Sequence, residues 1–183
     1  MEPIALADER VIERQIGRAP RGVVGIPWRC SYGFPQVVTV YPLVDEAPFP
    51  TSYWLTCPYL SLAVDRLEAV GWISRLEDRM AGDERLRLAM DAAHDRYVVE
   101  RVSMLSAADR SAVERLGFAE SLTGRGIGGI ADRNRLKCLH LHVAHELADA
   151  NPIGRFVLDA LNRRECPPKE VICSTPEGAE QIL

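Results

Sequence analysis

The segment KCLHLHVAHELA, from Lys137 to Ala148, holds three of the four histidines of the chain and one of its five cysteines. Thiolate and imidazole are the usual ligands of zinc and of many iron sites. On a helix that steps about 100° per residue, Cys138, His142 and His145 fall within an arc of about 60°. His140 points the other way, and Leu136, Leu139, Val143 and Leu147 gather on roughly the opposite side. The spacing predicts one helix with two stripes, a core-facing one and a thiol–imidazole one suited to a metal or to catalysis. Singly, each of these residues is ordinary, since a solvated histidine or a cysteine serving as small apolar filler is commonplace. Their combination points to a metal.

No C-x-x-C pair exists, so the other ligands must come from distant positions. Cys30 and Cys57 stand at the ends of two predicted strands and complete, with Cys138, the expected ligand set for zinc or an iron–sulfur cluster. His142 or His145 would then ligate or serve as general acid or base. Cys166 and Cys173, in CPPKEVIC, are incidental thiols on this view, held in reserve as ligands.

GRGIGGIADRNRLK contains G-x-G-x-x-G at Gly124, Gly126 and Gly129, but no strand precedes it, and the dinucleotide fingerprint fails its context. A simpler use remains. Gly126, Gly128 and Gly129 deliver the chain to a predicted helix N-terminus that carries Arg133 and Arg135, a place for a phosphate- or carboxylate-bearing small molecule. Such a molecule would lie close to Cys138. The combined expectation is a metal or iron–sulfur enzyme acting on an anionic small substrate. The alternatives are a noncatalytic, metal-stabilised adaptor and a metal-free thiol enzyme with Cys138 as nucleophile and His142 one turn later.

The elements that would position these residues follow from periodicity. Ile4–Ile16 reads as a short helix ended by Gly17. RGVVGIPWRC and QVVTVYPLV read as an antiparallel pair of strands joined by SYGFP, and TSYWLTC as a third strand that Pro58 stops before a helix. From Trp72 to about Leu105 the pattern is helical with a break at Gly82, and His94 there suits a hydrogen-bonded structural role while Glu100 and Arg101 suit a solvated face. A helix from Asp132 through Ala148 and another from Pro152 to about Asn162 follow, and residues 164–183 are proline-rich and irregular. The fold class is α+β, with an antiparallel sheet of about three strands in the N-terminal third packed against a mainly helical C-terminal part, in a single domain.

With 183 residues, 47% of them hydrophobic, the chain can bury one core. A net charge of -4 argues against nucleic acid as the main partner. No apolar run is long enough to span a membrane, and the start MEPIALADERVIERQ lacks the order of a signal peptide, so a cytoplasmic location is expected. The blocks RCSYGFPQVVTVYPL, PFPTSYWLTCPYLSLAVDRLEAVGWI and LKCLHLHVAHELADANPIG resemble those of the uncharacterised bacterial family DUF501, from about Arg14 to Val157. The resemblance implies a bacterial, cytoplasmic protein whose signature blocks hold Cys30, Cys57, Cys138, His142 and His145, and it implies no particular activity, substrate or cofactor.

Overall fold

β-branched and aromatic runs build the sheet. In the computed structural model, which describes residues 4–174, β1 (Val23–Arg29), β2 (Pro35–Val40) and β5 (Tyr53–Leu55) form an antiparallel sheet in the order β1-β2-β5. Pro27 is tolerated because β1 is an edge strand, and Pro35 because it is the first residue of β2. A separate small hairpin, β3 (Leu43–Val44) with β4 (Ala47–Pro48), turns through Asp45 and Glu46, both with positive φ (51° and 62°), the signature of a type I′ turn.

Every residue of β2 is buried because both faces of the sheet are covered. The side chains alternate as the pleat requires. Val38 and Val40 meet Ile26 and Ile12, the latter on α1 (Leu6–Ile16), which Gly17 ends in the left-handed conformation. Val37, Tyr53 and Leu55 face the main core, built from α2 (Pro58–Ala69), α3 (Trp72–Gly82), α4 (Glu84–Ser103), α7 (Leu139–Ala148) and α8 (Pro152–Leu161). Two short helices, α5 (Ala107–Arg115) and α6 (Ala119–Thr123), pack a smaller cluster around Leu105, Val113 and Leu122. The α+β expectation, with a three-stranded sheet early in the chain and helices after it, holds.

Local signals place four of the eight helix starts among the described residues. Asp83 accepts a hydrogen bond from the Leu86 N–H (3.1 Å), Ser106 from that of Asp109 (3.1 Å) and Asn151 from that of Gly154 (2.8 Å). Pro58 and Pro152 occupy first-turn positions, where a missing N–H costs nothing. Gly154 also lets α8 approach α7: a Cβ there would lie 2.1 Å from the carbonyl oxygen of His142. Gly154→Ala is expected to lower stability by about 1–3 kcal/mol, read by urea unfolding, because rigid backbone must give way.

The expected helix from Asp132 to Ala148 is shorter. Asp132 instead closes a turn, accepting from the Asn134 N–H (3.0 Å), and α7 starts at Leu139 with Cys138 extended at its N-cap (φ −159°, ψ 155°). The first helical N–H, that of Leu139, donates to Glu68 Oε1 (2.5 Å), and the N–H of Leu136 donates to Glu77 Oε1 (2.8 Å). Carboxylates from α2 and α3 thus decide where α7 begins. In the C-terminal segment, residues 164–171 are irregular and a single 3-10 turn covers Ile172–Ser174; the rest of the expected tail, 175–183, lies outside the described residues.

Candidate functional site

Because Cys138 precedes α7, its side chain leaves the stripe expected for it. His140, in the first turn of α7, comes to it instead, and Glu68, in the last turn of α2, joins them. One ligand atom from each of Glu68, Cys138 and His140 lies within 4.8 Å of the others, the one such group of three among the described residues. All three side chains are half-buried. His140 Nδ1 sits 3.2 Å from Glu68 Oε1, while Nε2 faces the Ser61 carbonyl oxygen (3.3 Å) and Asp65 Oδ1 (3.4 Å). An Nε2–H that donates to these oxygens leaves Nδ1 lone-paired and aimed at the cluster, the arrangement that orients metal-ligating histidines. Burial works against charge on His140, but the hydrogen bond with Cys138 and the charges of Glu68, Cys138 and Asp65 overcome it and raise the imidazole to about 9.

Cys138 and His140 line a groove of about 330 Å³ together with Phe49 and Trp54. Two cations stand at its edge. Arg18 lies 4.8 Å over the Trp54 ring, and Lys137 reaches the Gly128 carbonyl oxygen at 3.2 Å. The groove offers an anion two positive charges and aromatic walls beside a thiol and an imidazole.

The other residues singled out from sequence are distributed elsewhere. Cys30 follows β1 and Cys57 caps α2. Their surroundings are shared with Cys166 and Cys173, whereas Cys138 sits with Glu68 and His140. His142 and His145 are 2% and 0% exposed. Asn151 holds both: its Oδ1 caps α8, which turns Nδ2 toward Nδ1 of each imidazole at 3.2 Å. His145 also stacks on Tyr53 and meets Tyr97 edge-on. Burial, with His94 and His145 beside it, lowers His142 to about 3; burial lowers His145 to about 4, with Arg96 adding to it and Asp149 opposing. Two imidazoles held neutral inside the core suit packing rather than proton shuttling.

The glycine loop is likewise packed. A Cβ on Gly126 would lie 2.3 Å from His94 Nδ1, which accepts from the Ile127 N–H at 3.0 Å, as expected of a structural histidine. Gly128 and Gly129 have φ of 61° and 81° and abut Leu141 and Pro50. Arg133 pairs with Asp95 (2.6 Å) and Arg135 with Glu77 (3.2 Å), and α7 begins beyond both, so no helix N-terminus faces the loop. None of these five residues lines the groove beside Cys138.

Arg101 departs from expectation most. It is 0% exposed, not solvated. Its guanidinium donates to the carbonyl oxygens of Leu122 (2.8 and 2.6 Å), Pro50 (2.8 Å), Gly126 (3.1 Å) and Arg125.

The geometry now has a family to sit in. The profile of a family described as a protein of unknown function, DUF501, matches residues 26–159, most of the chain. The chain belongs to the DUF501 family. No curated protein and no solved structure matches it. All three members of the cluster, Glu68, Cys138 and His140, lie inside the DUF501 match, as does the whole groove except Arg18. Among the described residues no helix of this DUF501 protein is long and apolar enough to cross a membrane. Sequence reasoning found Cys138 and missed Glu68. Cys138 and His140, two residues apart, would have signalled the pairing had an extended Cys138 been assumed, since alternate residues of an extended chain share a side.

Proposed function

We propose that the protein is a metal-dependent enzyme that holds a zinc-type ion on Glu68, Cys138 and His140 and acts on a small carboxylate- or phosphate-bearing molecule in the adjoining groove. The observation that carries this is the convergence of three ligand atoms within 4.8 Å on the groove wall. The donor set fits the ion: thiolate, imidazole and carboxylate are its ordinary ligands, and three protein ligands with an open fourth position is the catalytic pattern. A bound ion would supply Lewis acidity toward an oxygen of the substrate. The chain's own residues do the rest. Arg18 and Lys137 draw the anion in, Trp54 and Phe49 screen it from water, and the Ser61 carbonyl and Asp65 fix the ring of His140.

The test is zinc affinity by competition with a chromophoric chelator. The full-length chain, stripped of metal, is expected to bind one zinc at this site, and Cys138→Ser or His140→Gln to weaken it by at least about 100-fold. Glu68→Gln keeps an acceptor for the Leu139 N–H and so separates ligation from helix capping. Circular dichroism checks that each variant is folded. Wild-type zinc affinity in a folded Cys138→Ser variant would remove the proposal. Inorganic phosphate is expected to bind more weakly to Arg18→Gln.

A further inference from the structure

Four of the five cysteines are brought together by segments far apart in the chain. Cys30 sits in the β1–β2 turn, where its N–H donates to the Phe34 carbonyl oxygen (3.0 Å) and its carbonyl accepts from the Gly33 N–H (2.9 Å). Cys57 lies at the junction of β5 and α2. Cys166 and Cys173 come from the C-terminal segment, which is tied to that turn: the Glu165 carboxylate accepts from the Ser31 N–H (2.8 Å) and hydroxyl (2.7 Å), and the Tyr32 hydroxyl donates to the Cys166 carbonyl oxygen (3.1 Å).

Two buried glutamines cross-link the assembly. Gln36 Nε2 donates to Cys57 Sγ (3.5 Å) and to the Arg164 carbonyl oxygen (2.7 Å). Gln15 Nε2 donates to Cys173 Sγ (3.2 Å) and to the Pro35 carbonyl oxygen (2.8 Å). Amide donors aimed at cysteine sulfur are what a thiolate bound to a cluster accepts. All four thiols are free.

We infer that Cys30, Cys57, Cys166 and Cys173 are the ligands of an iron–sulfur cluster, a centre separate from the Glu68–Cys138–His140 site. Each thiol lies within reach of its neighbours' charge: Cys57 feels Cys173 and Cys166, Cys166 feels Cys30, and Cys173 feels Cys166 and Cys30. Ligation by cations would release the protons and neutralise the like charges.

Spacing separates cluster from zinc. Bonds of about 2.3 Å to a tetrahedral zinc put its sulfur ligands about 3.8 Å apart. No three of these four sulfurs are mutually within 4.8 Å. A wider quartet suits a cluster, whose irons and sulfides occupy the middle. With four cysteine ligands no iron is left open for substrate, so the centre clamps the C-terminal segment onto the sheet and can carry an electron, and it leaves substrate to the groove. Two of its ligands lie beyond the residues matched by the family profile, which ends at 159.

The experiment uses the full chain purified without oxygen, and again after incubation of the apoprotein with ferrous iron, sulfide and a thiol reductant. Expected are iron and acid-labile sulfide in equal amounts, roughly two to four of each per chain, with visible absorption that bleaches on reduction. Cys166→Ser and Cys173→Ser are expected to lose most of that colour and keep zinc affinity at Cys138; Cys138→Ser is expected to keep the colour and lose the zinc. The two sites therefore fail independently. Protein that stays free of iron and sulfide under both preparations, zinc bound by this quartet without sulfide, or full colour in Cys166→Ser overturns the inference. Should the serine variants misfold, the wild-type iron, sulfide and paramagnetic resonance of the reduced protein decide it.

Discussion

Arg101→Met is expected to destabilise the protein by about 3–5 kcal/mol, measured as a shift of the urea unfolding midpoint at unchanged slope. Arg101 is fully buried with no carboxylate partner among the described residues; its donors go instead to backbone carbonyls of Leu122, Arg125 and Gly126 and of Pro50. Leu122 lies in the last turn of the five-residue α6, where helical carbonyls lack an intrahelical donor, and Pro50, Arg125 and Gly126 lie outside helices and strands. Methionine keeps much of the aliphatic volume and removes all the donors, so four carbonyl oxygens lose the guanidinium and, among the described residues, only that of Gly126 keeps another donor, the Gly129 N–H (3.1 Å), at a cost of about 1–3 kcal/mol for each left unpaired that water cannot reach. Relief from burying a guanidinium returns part of this. The residual loss is large enough to loosen residues 122–126 first, which hydrogen exchange at the Gly126 and Ile127 amides would register. Wild-type stability in this variant would mean that the loop holds itself.

Acid is the second strong lever, and its sign follows from the buried histidines. His94 and His145 are both fully buried and both lowered to about 4, from an ordinary value of 6.5. Burial is the main cause in each; Arg133 acts with it at His94 against Asp91 and Asp95, and Arg96 acts with it at His145 against Asp149. The unfolded chain takes up these protons as pH falls below 6.5, while the folded chain does not until about pH 4. Stability from these residues is therefore complete above 6.5 and is lost between 6.5 and 4. At about 1.4 kcal/mol per pH unit for each histidine, these two and His142, lowered to about 3, cost roughly 4 kcal/mol between about pH 7.5 and 5.5, and His140, raised to about 9 and so acting with the opposite sign, returns about 1 kcal/mol, leaving a net loss of roughly 3 kcal/mol. Urea unfolding at those two pH values measures it. The difference should shrink by about half in His145→Gln, provided that variant is folded. A pH-independent midpoint over this range would contradict the buried, neutral assignment.

Hydrogen bonding supports the same assignment independently. His94 Nδ1 accepts from the Ile127 N–H, and Nδ1 of His145 is served by the Asn151 amide. Nδ1 is then the acceptor in each, the ring carries its proton on Nε2, and a second proton would have to displace a donor. Among the described residues neither Nε2 has a hydrogen-bond partner, and the Asp149 carboxylate, 3.5 Å from that of His145, is too distant to hold a proton there well.

Much of the frame was legible without coordinates. Alternating β-branched residues gave away the β1–β2 pair and β5, Pro58 marked the handover that leaves Cys57 between strand and helix, and Asp83 and Pro152 marked the starts of α4 and α8. These signals are local: pleat, ring constraint and side-chain caps act within a few residues. The candidate metal centre was half legible. Cys138 was singled out as a candidate ligand, but its partners were assigned along an ideal helix that in the folded protein has not yet begun at that position.

Composition and periodicity determined the α+β class, the order of the elements and which residue types could bind a metal. Only the tertiary structure decided which of them meet. Glu68 caps α7 from 71 positions away, and by doing so it holds Cys138 extended and turns His140 toward it. Gln15 and Gln36 draw the C-terminal cysteines back to the sheet in the same long-range manner. Arg101 is buried because carbonyls of a distant loop need donors. A backbone group must find a partner somewhere, and a sequence shows the need without showing which remote side chain meets it.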